Sequence, residues 1–533
     1  MQLAEGKIKG QNKVIPVWLL KWWPYLSVTL IALVAKFPYL NNNILFIDEP
    51  IYLAQAKRLD SIEAFIYSFQ YRSEVKFQWS LVPQLLALAI SQDNAILIMR
   101  IFGLIAVMIG FCLLITISKQ LFNDLLPGFF AVTSWAILIN RSYLTTPPLL
   151  EYFQTPILLF SFWQFIKGLE SEKKAGWPFF WSGFSLAFAG LIKPSALAIV
   201  GVFGLTVIFY HPQLNTKWFS WAKLKPIFCL GLGLTIPIAI TIGPYLFNTT
   251  AWAELKLNII DISASYEKLD NSSLGKRTIF LLLLFELSNL LLITVTALPF
   301  ITSRIIFHRK EWSRLDTYQL LLLLTGWGLF AIYAYGQYKE HYLITIFPFL
   351  MLFIGYRLRY YLSKITPSRL RLMMVTAFCV WLLLSNLISF QYYYQQLFIE
   401  RGQTYYDELN GLNLPEIVNY VKANTKPTDL IWTYYNFPEL YWLANRKPAT
   451  TDPVAGYVVL FHNDFWNTKI VGQLKQEKPT LIIGVDKVHM FLDKPLTLLE
   501  VPLVKDFIAE NYECNTTIVK DATICTIKPT AKG

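Results

Sequence analysis

Two acids stand side by side at Asp48 and Glu49, in NNNILFIDEPIYLAQAKRL, and a third, Glu151, stands in TTPPLLEYFQTPILLF. Adjacent carboxylates repel, so one of such a pair holds its proton more tightly and is suited to act as a base or a metal ligand. Pro50 follows at a position that starts helices, which puts both acids where the helix dipole favours negative charge. The plainer reading makes the pair capping carboxylates, and Glu151 an interfacial acid reaching for water. Cations accompany them: Lys76, Arg100, Lys193 in GLIKPSA, and Lys339 and His341 in YKEHYL. Singly, each is consistent with a snorkelling side chain. Together, acids and bases converging on one place suit an anionic substrate with a lipid tail, its phosphate held by charge-assisted hydrogen bonds.

The setting gives these charges weight. The chain has 533 residues, of which 55% are hydrophobic and only 15% charged, against about 25% charged in soluble proteins. Such a surface would leave large apolar patches in water, which excludes a cytosolic enzyme, a disordered chain and a collagen-like or disulfide-scaffold protein. A membrane protein remains. The net charge of +12 then reports orientation, not nucleic-acid binding. Ionisable groups at membrane depth cost a few kcal/mol or more, so each is a functional candidate.

Spanning roughly 30 Å of hydrocarbon takes about 20 apolar residues. Apolar runs near 17–39, 95–118, 125–142, 146–168, 177–192, 195–211, 225–247, 278–303, 317–335, 342–356 and 370–392 predict an α-helical polytopic membrane domain of about eleven transmembrane helices, with 177–192 and 342–356 short. Lys7, Lys9 and Lys13 precede the first run, and no small-residue cleavage site follows it, so that run is read as a retained span. The alternate loops from Lys119 to Arg371 are all basic, which places the N-terminus in the cytoplasm and the C-terminus outside. The expected location is a bacterial plasma (inner) membrane.

Residues 1–394 form the membrane domain, with outer loops at about 40–94 and 248–277. In the first loop, LVPQLLALAI is too short to cross and belongs at the interface; the second, polar and containing Asn, Ser and Gly, is a candidate lid. From 395 to 533 the long apolar runs stop. DLIWTYY and PTLIIGVD read as buried strands and LPEIVNYVKANT as an amphipathic helix, an extracytoplasmic α/β domain. Cys514 and Cys525 flank NTTIVKDATI, which reads as a hairpin on the side where disulfides persist; hairpin register decides whether they pair. No zinc, Walker or dinucleotide motif occurs.

DEPIYLAQA resembles the first outer-loop motif of the polyprenyl-phosphate-dependent GT-C glycosyltransferases, in particular the protein O-mannosyltransferase and aminoarabinose transferase relatives. In order along the chain, MRIFGLIAVMIG, TTPPLLEYF, AGLIKPSAL and KEHYLITIFPFL resemble later motifs, and the tail from Leu414 resembles the outer domain of the bacterial members. The resemblance covers nearly the whole chain. It implies inverting transfer of a sugar from a polyprenyl phosphate to a lipid, glycan or protein acceptor at the outer membrane face, by a protein expected to act as a monomer among membrane lipids. Asp48 matches the catalytic acid position, with Glu49 its neighbour and Glu151 the second acid. Tyr52, Lys76, Arg100, Lys193, Lys339, His341 and Tyr342 match positions near the donor phosphates. A divalent metal ion on Asp48, Glu49 and Glu151 is a candidate cofactor. Ile51, the run Lys76-Phe77-Gln78 and Glu340 depart from the aminoarabinose transferases, so neither that sugar nor lipid A is carried over. A transporter or flippase of lipid-linked sugars is the alternative, though the chain shows no paired repeats.

Overall fold

A computed structural model describes residues 17–40, 48–71, 76–140, 150–171, 176–210, 221–261, 296–303, 313–335, 340–365, 369, 373, 414–434, 438–451, 464–485, 490–491, 494–495, 501–520 and 522–529. The bundle opens with α1 (Val17–Leu40), which buries Val28, Ala32 and Ala35 and exposes Trp22, Leu26, Leu30, Leu33 and Phe37. That inside-out distribution of bulk suits lipid, where small residues let helices approach. Then come α2 (Asp48–Lys57), α3 (Ile62–Ile66), α4 (Ser68–Tyr71) and α5 (Val82–Ile90). The bundle continues with α6 (Ala95–Phe122), α7 (Leu126–Leu138), α8 (Leu150–Glu170), α9 (Gly176–Ile192), α10 (Ala198–Tyr210) and α11 (Trp221–Ile242). After α12 (Thr249–Lys256), α13 (Arg314–Tyr335) and α14 (Leu343–Lys364) complete its described part.

Among the described residues, Ala95–Phe122, Leu224–Phe247, Arg314–Ile332 and Leu343–Lys364 are long and apolar enough to cross a membrane. The expected span at 342–356 is longer than its apolar run, because the helix continues through GYRLRYYLSK to Lys364; backbone hydrogen bonding needs no apolar side chain, and long cations snorkel. The span expected at 370–392, apart from residue 373, and most of that at 278–303 lie outside the described residues. So does 262–277, the greater part of the candidate lid. The closest packing joins α9 and α11. A Cβ on Gly183 would lie 2.0 Å from the Leu230 carbonyl oxygen, and one on Gly233 would lie 2.0 Å from that of Phe180, so only glycine admits this approach.

LVPQLLALAI supplies the last residue of a 3₁₀ turn (Gln78–Leu81) and the whole of α5, which buries Gln84 and Ala87 and exposes Leu86 and Ile90. Trp79 Nε1 donates to Thr241 Oγ1 at 2.8 Å, pinning this loop to α11.

The C-terminal region is a mixed sheet between helices. It runs α15 (Leu414–Asn424), β1 (Leu430–Thr433), α16 (Glu439–Leu443), β2 (Lys447–Pro448), α17 (Asp464–Glu477) and β3 (Leu481–Val485). A small hairpin, β4 (Met490–Phe491) and β5 (Lys494–Pro495), precedes α18 (Pro502–Asn511), β6 (Tyr512–Val519) and β7 (Ala522–Ile527). The five-stranded order is β2-β1-β3-β7-β6, parallel from β2 to β3 and antiparallel from β3 to β6. Strand alternation separates two cores. Ile431, Ile483 and Ile524 pack with Ile417, Val421 and Tyr441 on one face. Trp432, Ile482 and Cys525 pack with Ile470, Leu474, Val504 and Phe507 on the other. Cys514 and Cys525 face each other in register and are disulfide-bonded. Each core also takes in one residue from the bundle side: Ala54 of α2 enters the first and Leu257, just after α12, the second. Lys469 of α17 pairs with Glu254 of α12 at 2.9 Å.

Candidate active site

Asp48 is the first residue of α2, as Pro50 predicts, and its side chain lies outside the described set. Glu49 is 1% exposed. Both its oxygens accept from Arg100 of α6, through Nε and Nη2, at 2.8 Å each, a fork-to-fork pair of the strongest geometry. Packing sets this up: Leu53 of α2 lies against Ala87, Ala95 and Met99, so the α2 face one turn back meets the first turns of α6. Tyr52 falls one turn after Asp48. Its hydroxyl accepts from Lys76 Nζ at 2.7 Å, and its ring packs with Leu81, Leu150 and Ile192. Through Leu150 the start of α2 is tied to the start of α8.

Glu151 follows Leu150 and is 3% exposed. Lys193 Nζ donates to its Oε1, and His341 Nε2 lies 3.8 Å from the same atom. Lys193 is extended because Pro194 disfavours helix in the residue before it. That ends α9, and Gln154 Nε2 fixes the turn by donating to the carbonyls of Ala189 at 3.0 Å and Lys193 at 2.9 Å. The Lys193 ammonium also sits 3.5 Å from the centre of the Tyr342 ring. Lys339 lies outside the described residues, as does the side chain of Glu340.

One residue was not singled out from the sequence. Lys36, near the end of α1, donates to the Tyr152 hydroxyl at 2.6 Å, lies 4.1 Å from the centre of that ring, and is close enough to Glu49 to interact with its charge. A lysine interrupting an apolar run is the only mark it leaves in the sequence, and the hydropathy of the surrounding residues masks it. Lys36 bridges the two halves of the cluster, Glu49 with Arg100 on one side and Glu151 with Tyr152 on the other.

The described side chains at this end of the bundle thus include two carboxylates, Glu49 and Glu151, and four cations, Lys36, Lys76, Arg100 and Lys193. Lys76, Arg100 and Lys193 alone outnumber the two described carboxylates, which favours an anion. In this structure both oxygens of Glu49 are engaged by a guanidinium, and Glu151 by an ammonium with a histidine beside it. Among the described residues no three His, Cys, Asp or Glu side chains gather as a metal site.

No family model and no curated protein matches this sequence. Solved structures do match in shape. ArnT from Cupriavidus metallidurans bound to undecaprenyl phosphate aligns over 97% of this chain and 99% of its own, at 12% identity and a TM-score of 0.58. The same protein in the apo state gives 0.56 at 10% identity, with the same coverage. The Archaeoglobus fulgidus oligosaccharyltransferase, tethered with an acceptor peptide containing the NVT sequon, aligns over 88% of this chain and 70% of its own at 11% identity, with a TM-score of 0.52. From its first long helix to its terminal sheet, this multi-pass membrane protein has the GT-C fold of the polyprenyl-phosphate glycosyltransferases.

Proposed function

We propose that the protein is an inverting glycosyltransferase that moves a sugar from a polyprenyl phosphate to an acceptor hydroxyl or amide. The observation that carries this reading is the meeting of Glu49, Glu151 and four cations at one end of the bundle, beside the docked sheet domain. In the charge-derived orientation that end faces out of the cytoplasm, at a plasma membrane. The structural neighbour bound to undecaprenyl phosphate supports a polyprenyl phosphate as the donor's lipid.

The sugar's C1 is already bonded to a good leaving group. In the reaction the acceptor's oxygen or nitrogen bonds to C1 from the face opposite the phosphate. The C1–O bond breaks, its electron pair stays on the phosphate oxygen, and the acceptor's proton passes to Asp48. One base suffices, and no covalent sugar–enzyme species forms. Cations fixed before the charge develops stabilise the departing phosphate without reorganising. Lys76, which donates to the Tyr52 hydroxyl, takes the phosphate side. Arg100 and Lys193 hold Glu49 and Glu151 in place and contribute their fields. No step is routed through a metal.

The phosphate contact is testable by binding alone. A hydrogen bond to a charged group contributes about 1.5–3 kcal/mol. Lys76→Met is therefore expected to weaken binding of a short-chain polyprenyl phosphate to the purified protein about tenfold or more. The same change should leave binding of the uncharged polyprenol unaltered. Equal losses for both lipids would remove Lys76 from the phosphate site.

A further inference from the structure

We propose that the C-terminal domain is a working part of the transfer site: it grips the far end of α2, and Lys57 is the positioning residue that sets where the Asp48 end sits. The proposal rests on the reading of α2 as the helix that carries the base. That helix is 10 residues long, about 15 Å, with Asp48 and Glu49 at one end and Lys57 at the other. A rod of under three turns does not bend easily, so a shift at one end reaches the other.

The grip is specific. Ala54 is buried in the domain's core beside residues of α15 and α16. Lys57 Nζ donates to Asn445 Oδ1 at 2.8 Å and to the Tyr441 carbonyl at 3.5 Å, and lies 5.5 Å from the Trp442 ring centre. Arg58 Nη1 donates to the Pro448 carbonyl at 3.3 Å, and Asp60 pairs with Lys447 at 2.5 Å. The receiving loop is itself fastened. Asn445 takes a left-handed conformation, φ 53°, which asparagine tolerates better than most residues. Arg446 then clamps the loop onto the end of α15, donating to Thr425 Oγ1 and to the Thr425 carbonyl at 2.7 Å each.

A last-turn lysine has a plainer explanation, the helix dipole. That role needs neither Asn445 nor a carbonyl from another domain. Nor does long-range charge attraction account for the contact: docking half-buries Lys57 and sets Arg446 and Lys447 beside it, which pushes its ammonium down to about 8. Directed hydrogen bonds hold it there, and directed bonds fix position more sharply than apolar contact does. Misplacement of a reacting group by about 1 Å can cost on the order of a hundredfold in rate, so even a partial release of α2 should be visible in turnover.

The test uses the full-length protein in nanodiscs with a polyprenyl-phosphate sugar donor. Lys57→Met keeps the side chain's bulk and removes its hydrogen bonds. It is expected to lower kcat about tenfold while donor KM changes less than about twofold, since a misplaced base slows chemistry more than donor binding. Asn445→Ala should behave alike, the double variant should be no worse than the worse single one, and Lys57→Arg should recover most of the loss. Hydrogen exchange should speed up in the α2 amides of Lys57→Met and stay unchanged in α6. If Asp48→Asn abolishes transfer while Lys57→Met and Asn445→Ala turn over normally, the grip has no catalytic role and the proposal is overturned. A fall in kcat that only tracks the fraction of folded protein overturns it too. Full activity of Asp48→Asn would instead remove the reading on which the proposal stands.

Discussion

Asp48→Asn, in protein that inserts and folds normally, is expected to lower kcat for sugar transfer by about 10²–10⁴-fold, the usual contribution of a positioned general base. Asparagine keeps the side chain's shape and its place at the start of α2, so helix entry should survive and donor binding should change little. What it cannot do is accept the acceptor's proton as the new bond to C1 forms. Glu49 does not substitute, because both its oxygens are occupied by Arg100. Glu151 does not either, being tied to Lys193. The measurement is single-turnover transfer with donor saturating, which separates chemistry from binding. Rates within a few-fold of the unaltered protein would mean that the base lies elsewhere.

Arg100→Met is expected to have the largest effect on stability. It strands the Glu49 carboxylate, 1% exposed, and breaking a buried ion pair by removing one partner costs about 3–5 kcal/mol. Replacing both partners is a different matter: a matched apolar pair is often neutral or better. Thermal unfolding of the purified protein should therefore show a marked fall for Arg100→Met and recovery in Glu49→Leu/Arg100→Met. Transfer should stay low in the double variant, because the cation and the carboxylate that shape the field around Asp48 are both gone. A double variant that recovers stability and activity together would make the pair a structural one only.

The parts of this arrangement that were legible in the sequence are those fixed by local rules. Pro50 after two acids marks the start of α2, Lys193 before Pro194 marks the end of α9, and β-branched runs mark β1 and β3. The alternation that splits Ile431 from Trp432 is likewise local. Partner choice was not legible. Arg100 and Lys193 each stand on a carboxylate, because a buried acid is costly without a counter-charge and these are the cations within reach, a pairing that the sequence does not report. Lys36 was hidden in an apolar run, where hydropathy averages out a single charge. The grip of Asn445 on Lys57 joins residues 388 apart in sequence, and periodicity does not report contacts of that kind. The expected extent of the span at 342–356 fell short for a related reason: hydropathy measures lipid affinity, and the helix outruns it.

The most direct test of the central claim is a transfer assay on the purified protein in nanodiscs. A polyprenyl phosphate bearing a radiolabelled sugar is supplied with acceptors extracted from the host membrane. The account predicts that label moves to an acceptor with inversion at C1, and that free polyprenyl phosphate appears in equal amount. Passage of the intact labelled lipid across vesicle membranes, with its sugar–phosphate bond unbroken and no labelled product, would contradict it and favour a flippase.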